Sequence, residues 1–180
     1  MNMTVLLCTY NGVDFIKEQL QSLEAQIRAP DQLLIYDWGS NDDTVDRIER
    51  FMEQSTLSVF LYRLGPASGV YSSFKIAIKH ALKEFSNIEY LALCDQDDIW
   101  EPSKLKEAEN LLSKDSAKSQ LFFSDVSLID RDENMIVESR LSTSPYFSMF
   151  PDRLNDAVFL ANPVVGMTCL LYTSPSPRDS

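Results

Sequence analysis

Apolar positions along the chain alternate between two rhythms. Met3 to Thr9 is a continuous run of aliphatic and β-branched residues, which fits a short strand covered on both faces. Tyr10, Asn11 and Gly12 break it, and Ile16, Leu20, Leu23 and Ile27 then recur at helical spacing, predicting a helix that ends before Pro30. Leu33 to Tyr36 is a second strand, closed by Asp37, Trp38, Gly39 and Ser40. Ser40 with Asp43 reads as a helix-start pair, and Val45, Ile48, Phe51 and Met52 supply the apolar face behind it. The unit repeats with Leu57 to Tyr62, a GPASG turn, and a helix carrying Phe74, Ile78, Ala81, Leu82 and Phe85. It repeats again with Tyr90 to Cys94, a loop, and a helix from about Ser103 to Leu112. Such alternation predicts an α/β fold, a mostly parallel sheet flanked by helices on both faces. Ligands of these sheets bind outside the carboxyl ends of the strands.

After Gln120 the rhythm changes. LFFSDVSLID and NMIVES read as the two strands of a β-hairpin joined by the polar turn RDEN. PYFSMFPDRL is loop-like, Arg153 to Leu160 fits one or two helical turns, and Val164 to Leu171 reads as another strand. TSPSPRDS is a polar tail of the kind a folded core does not use. The expected organisation is therefore one domain over residues 1–171 and a non-native-looking tail over 172–180.

Composition narrows the function classes. A chain of 180 residues with 44% hydrophobic content can bury a real core, and no apolar run approaches the ~20 residues a membrane-spanning helix needs. MNMTVLLCTY lacks a basic leader and a small-residue cleavage site, which points to the cytoplasm. A formal charge of −11 argues against nucleic acid as partner, because that contact depends on Lys and Arg neutralising phosphates. An anionic small ligand would then require a local cation. Cys8, Cys94 and Cys169 lie in apolar runs without CxxC spacing and read as small buried hydrophobes, and His80 falls within an amphipathic helix.

The candidate chemistry sits in LALCDQDDIWEP, Leu91 to Pro102. Asp95 and Asp97 are one residue apart, so their side chains can converge while Gln96 faces away from that point. Such a pair suits a hard divalent cation, Mg2+ or Mn2+, which takes one or two carboxylates together with phosphate oxygens. The cation would offset the repulsion among Asp95, Asp97 and Asp98 and let an acidic protein hold a diphosphate. The competing reading is a solvated acidic loop at the start of the next helix. Asp37 is either a turn residue or a hydrogen-bond partner of a nucleotide, and Asn11 carries the same two readings. Ser40 reads as a helix cap and Trp100 as packing at the sheet edge. Gly69, Val70 and Phe74 open the third helix, whose first amides would face a phosphate if Gly69 is more than a turn glycine. Asn162 and Gly166 either line the acceptor side of a pocket or shape a strand start.

LLCTYNG, IYDWGS, GPASGVYSSF, CDQDDIWEPSKL, FFSDVSLID and NPVVGMTCL, in that order and spacing, resemble the bacterial family 2 glycosyltransferases, in particular the rhamnosyltransferase-like branch that builds surface polysaccharides. The resemblance covers about residues 3–171. It implies a GT-A fold, a nucleotide-diphosphate sugar donor, a divalent cation at the DxD motif, a saccharide or lipid-linked acceptor, and inversion by direct displacement. By position, Thr9, Tyr10 and Asn11 would border the base and Asp37 the nucleotide pocket. Asp95 would lie near the ribose and Asp97 and Asp98 on the metal, with Gly69 and Gln96 completing the donor-facing set. Relatives that use lipid-linked acceptors often attach peripherally to a membrane.

The chain departs from the pattern in three ways. Trp38 stands where the family has a second aspartate. Ala67 and Ser68 stand where relatives often carry a basic residue, leaving Arg63 and Lys75 as candidate phosphate partners. The carboxylate that serves the family as general base follows the NxxxG segment, and no such motif follows Gly166 here. The pattern implies a donor-binding portion of a longer enzyme. A nucleotidyltransferase would show a Gly-rich, Lys- or Arg-bearing loop near the first strand, and TYNGVDF has none. A nucleotide-sugar-binding module without catalysis is the remaining alternative.

Overall fold

The computed structural model describes residues 2–66, 68–112, 120–143 and 169–172. Its elements are β1 (Met3–Thr9), α1 (Ile16–Glu24), β2 (Gln32–Asp37), α2 (Thr44–Gln54), β3 (Val59–Arg63), α3 (Val70–Glu84), β4 (Tyr90–Asp95), α4 (Lys104–Leu112), β5 (Leu121–Phe123), β6 (Leu128–Ile129), β7 (Met135–Val137), α5 (Arg140–Thr143) and β8 (Cys169–Tyr172). Among the described residues a six-stranded sheet runs in the order β3-β2-β1-β4-β8-β5. β1 pairs in parallel with both β2 and β4, and β2 with β3, while β8 lies antiparallel on β4. The mostly parallel α/β architecture expected from the sequence is the one observed.

β1 and β2 are buried along their whole length because helices cover both faces. Alternate residues feed two cores. Met3, Val5, Leu7, Leu33 and Ile35 pack with Ile16, Leu20 and Leu23 of α1, Ile48 of α2, and Leu105, Ala108 and Leu112 of α4. Leu6, Cys8, Leu34, Tyr36 and Trp38 pack instead with Ala77 and Ala81 of α3. The period-two alternation of side chains along a strand divides them in this way. Small residues on α3 leave room for the Tyr36 and Trp38 rings.

The chain divides into two compact units, Met1–Phe122 with Leu170–Ser180, and Phe123–Cys169. Within the second, β6 and β7 form an antiparallel hairpin. Its turn closes on Asp130, whose carboxylate accepts the amides of Asp132 and Asn134, both at 2.9 Å.

Several sequence expectations need correction. α1 stops at Glu24, and Ile27 lies beyond it, 72% exposed. The buried Gln26 takes the inward position: its amide group donates to the Glu101 carbonyl at 2.9 Å and its Oε1 accepts the Leu105 amide at 3.1 Å. LFFSDVSLID is not one hairpin strand, because LFF joins the main sheet as β5 and only Leu128–Ile129 pairs with β7. Ser40 does not cap α2, which begins at Thr44, and Asp42 accepts the Thr44 amide at 3.0 Å. Ala67, Arg153 to Leu160, Asn162, Gly166 and residues 173–180 lie outside the described residues.

Candidate functional site

Strand register brings three of the candidate residues to the carboxyl ends of adjacent strands. Thr9 pairs with Asp37 on one side, and Cys8 with Asp95 on the other. Asp37 and Asp95 therefore flank the end of β1 at two strand spacings, roughly 10 Å.

The loops after β1 and β2 are held together by hydrogen bonds. Buried Asp37 accepts the amides of Gly39 at 3.2 Å and Ser40 at 3.1 Å, and its other oxygen accepts the Ser40 hydroxyl. Ser40 Oγ in turn accepts the Asn11 amide at 2.9 Å, and Asn11 Oδ1 accepts the Asn41 amide at 2.9 Å. Gly12 N–H donates to Thr44 Oγ1 at 2.8 Å, Val13 N–H to Asp42 at 3.2 Å, and Trp38 N–H to the Thr9 carbonyl at 2.9 Å. Asn11 adopts φ 47°, a left-handed conformation that asparagine tolerates better than most side chains. Asp37 and Asn11 thus shape the loops, and exposed Tyr10 projects from them.

The third loop follows β4. Asp95 is pushed up to about 6, first by burial, then by the charges of Asp98 and Asp97. Asp98 is likewise pushed up to about 6 by burial and by Asp97, with Lys104 pulling the other way. One Asp98 oxygen is buried and has no hydrogen-bond partner among the described residues. Asp97 is exposed. Two carboxylates resisting ionisation, one with an orphaned oxygen, form a hard oxygen donor set short of positive charge, and such a set fits Mg2+ or Mn2+. Among the described residues no three His, Cys, Asp or Glu side chains gather as a metal cage. A cation held here would draw its remaining ligands from outside the described residues.

Gln96 turns to the end of β1. Its Oε1 accepts the Thr9 hydroxyl at 2.7 Å and the Tyr10 amide at 2.9 Å, and its Nε2 donates to the Tyr10 carbonyl at 3.3 Å. Trp100 is buried in the core, its amide donating to Ser22 Oγ at 3.1 Å and its ring 4.5 Å from the Lys104 ammonium.

Trp38 is only 6% exposed and packs in the core beneath α3. The position at which the resemblance implies a second aspartate is, in this chain, part of the hydrophobic interior. Gly69 precedes α3 with φ 104°, a conformation that favours glycine, and open space surrounds it. Arg63 is engaged with Glu49 at 2.6 Å, and Lys75 lies 5.8 Å from the Tyr71 ring. Neither is turned to the carboxylate loop by these contacts.

Sequence reading missed Lys104, which faces Asp98 from the start of α4. A basic residue in a first helical turn opposes the helix dipole, and that mismatch was the available signal. The roles of Asp42 and Thr44 in fastening the first loop were missed as well.

A mostly parallel sheet with a carboxylate loop and two interlocked loops along one edge defines the chain as a GT-A glycosyltransferase fold. Residues 4–170 match the model of the glycosyl transferase family 2, and the chain belongs to that family. It is 32% identical over 107 residues to the dTDP-rhamnosyl transferase RfbG of Shigella flexneri, covering 59% of this chain and 36% of that protein. An uncharacterized glycosyltransferase of Nostoc, alr2836, is 27% identical over 109 residues, covering 59% of this chain and 31% of that protein. Among solved structures, Staphylococcus aureus TarS 1-349 in complex with UDP-GlcNAc superimposes with TM-score 0.57 and 25% identity, over 67% of this chain and 33% of that one. The mannosyltransferase PcManGT of Pyrobaculum calidifontis, in complex with GDP-Man and Mn2+, shares the fold with TM-score 0.58 and 23% identity, over 71% of this chain and 36% of that one. The chain spans about a third of the length of these relatives.

Proposed function

We propose that this chain is the donor-binding part, residues 1–171, of an enzyme that transfers a sugar from a nucleoside diphosphate to a saccharide or lipid-linked acceptor with inversion. The observation that carries this reading is the Asp95–Asp98 loop, half-buried and short of positive charge, at the same sheet edge as Thr9 and Asp37. In this reading Asp97 and Asp98 hold Mg2+ or Mn2+, and Asp95 faces the ribose. Tyr10 and Asn11 border the base, while Thr9, Asp37 and Gln96 hold the donor-side loops. Gly69 opens α3 toward the diphosphate, and Asn162 and Gly166 belong to the acceptor side. When bound, the cation neutralises the diphosphate as it leaves. The protein residues orient the donor so that the anomeric carbon is open to the acceptor hydroxyl, whose proton needs a base assigned to no residue of this chain.

Rhamnose carried on dTDP is the donor we put first, on the strength of the Shigella relative. We assign the protein to the cytoplasm, at the inner face of the membrane where the acceptor is lipid-linked. No helix among the described residues is long and apolar enough to cross a membrane. A second reading, a nucleotide-sugar-binding module without turnover, is favoured by Trp38, which removes a polar group from the base side of the site.

Calorimetric titration with dTDP-, UDP- and GDP-sugars, in Mn2+ and in chelator, tests the assignment. Binding that requires Mn2+ and disappears in Asp97→Ala is expected. Equal binding in chelator would overturn the metal assignment, and turnover of a bound donor would exclude the second reading.

A further inference from the structure

The carboxylate loop and the base-side loop belong to different strands, yet one side chain ties them. Gln96 sits between Asp95 and Asp97, and its carboxamide meets the Thr9 hydroxyl at 2.7 Å, the Tyr10 amide at 2.9 Å and the Tyr10 carbonyl at 3.3 Å. It uses both its acceptor and its donor on the end of β1, an arrangement that reproduces a backbone pairing beyond the point where β1 and β4 stop. Gly12 supplies the space. A Cβ there would fall 2.6 Å from Gln96 Cδ, which would have to shift, and 3.2 Å from Thr9 Oγ1, a tight contact. Gly12 does not adopt a positive φ, so an added Cβ would disturb the seat of the Gln96 carboxamide and not the backbone conformation.

We propose that Gln96 is a positioning residue that makes the Asp95–Asp98 loop and the Thr9–Gly12 loop move as one, so that cation and nucleotide strengthen each other's binding. The coupling half of this inference rests on the donor-binding reading above. The tie itself does not. Two loops tied into one body are ordered together, so the first ligand to bind bears the ordering cost of both and the second binds a site already formed.

Gln96→Met keeps the length and apolar stem of the side chain and removes its hydrogen bonds. In the ligand-free protein, amide exchange followed by NMR should speed at Tyr10 by about threefold to tenfold, as for one lost hydrogen bond, with Val5 and Leu6 unchanged. Gly12→Ala should produce the same change at Tyr10 by displacing the carboxamide, and the double variant should be no worse than either alone. Unchanged exchange at Tyr10, or additive effects in the double variant, would overturn the tie. Calorimetry then compares the affinity for dTDP and UDP with and without Mn2+. The factor by which Mn2+ tightens nucleotide binding should fall at least about fivefold in Gln96→Met, whereas a merely structural role would lower both affinities and leave the factor unchanged. An unchanged factor overturns the coupling. Wild-type protein that binds neither nucleotide in Mn2+ overturns the coupling together with the donor-binding reading, and the Tyr10 exchange separates that failure from failure of the tie.

Discussion

Asp98 is a destabilising residue in the unliganded protein. Its carboxyl is pushed up to about 6 from an ordinary value near 4, chiefly by burial and by Asp97. The folded state therefore binds a proton more tightly than the unfolded state does. Between roughly pH 4 and pH 6 that difference makes stability fall as pH rises, and above pH 6 the full penalty remains. Asp98→Asn should consequently raise the stability of the chelated protein by about 1 to 3 kcal/mol at pH 7.5, an advantage that fades toward pH 4.5. Urea melts of both proteins across this range measure it, and a constant difference would show that ionisation of Asp98 is not the cause. The same variant should lose most of the stabilisation by Mn2+, because a strained site is commonly kept for function. At this scale the sequence was only partly legible. Crowded carboxylates advertise themselves, because nothing in packing rewards them. Gln96 entered only through the family resemblance, since its partners on β1 lie 86 or 87 residues away and strand order brings them together, while Lys104 was passed over although Asp98 and Trp100 lie just before it in the chain. Asp37 carried two readings, turn residue and nucleotide contact, and its oxygens accept the Gly39 and Ser40 amides and the Ser40 hydroxyl.

At the scale of elements, strand and helix order followed from hydrophobic period, and most of each helix face did too, Ile16, Leu20 and Leu23 of α1 and Ile48 of α2 being buried. Large apolar residues drew the predicted face of α3 through Leu82, which is 42% exposed. Phe74, Ile78 and Phe85 pack partly buried against the core, while the buried line of α3 runs through Ser73, Ala77 and Ala81, where the Tyr36 and Trp38 rings fill the space beneath the helix. Tyr36 stacks on Tyr62 at 4.9 Å between ring centroids, and its hydroxyl meets His80 Nδ1 at 3.0 Å, so the aromatic bulk comes from the sheet. A period-based reading counts hydrophobicity and cannot weigh volume across a tertiary interface. β5 and β6 look like one strand by period alone, yet the chain leaves the strand between Phe123 and Leu128, where Asp125 accepts the Val126 amide at 2.8 Å. Ala81→Leu tests the packing argument: overfilling this interface should cost about 1 to 3 kcal/mol in urea melts, whereas Leu82→Ala should stay within about 0.5 kcal/mol. A tolerated Ala81→Leu would mean that α3 does not press on the sheet as described.

At the scale of the whole molecule, the net charge of −11 opposes the ligand proposed for the site. A nucleoside diphosphate approaching without a cation meets both the general acidity of the surface and the local charge of the Asp95–Asp98 loop. Added salt screens the first contribution within a Debye length of ~10 Å at 0.1 M and weakens any remaining long-range repulsion. In chelator, the weak binding of UDP or dTDP should therefore tighten, on the order of threefold, as salt rises from about 0.05 to 0.5 M. In limiting Mn2+ the sign reverses, because the cation is attracted by the same field and is lost from the loop as screening increases. Proteins that grip phosphates with Lys and Arg lose affinity with salt under both conditions, because screening weakens the direct attraction. Titrations over this salt range, with and without Mn2+, hence distinguish a carboxylate-and-cation grip from a direct cationic one. Falling affinity in chelator would point to residues such as Arg63 or Lys75 as the true diphosphate contacts and remove the need for a cation to neutralise the ligand.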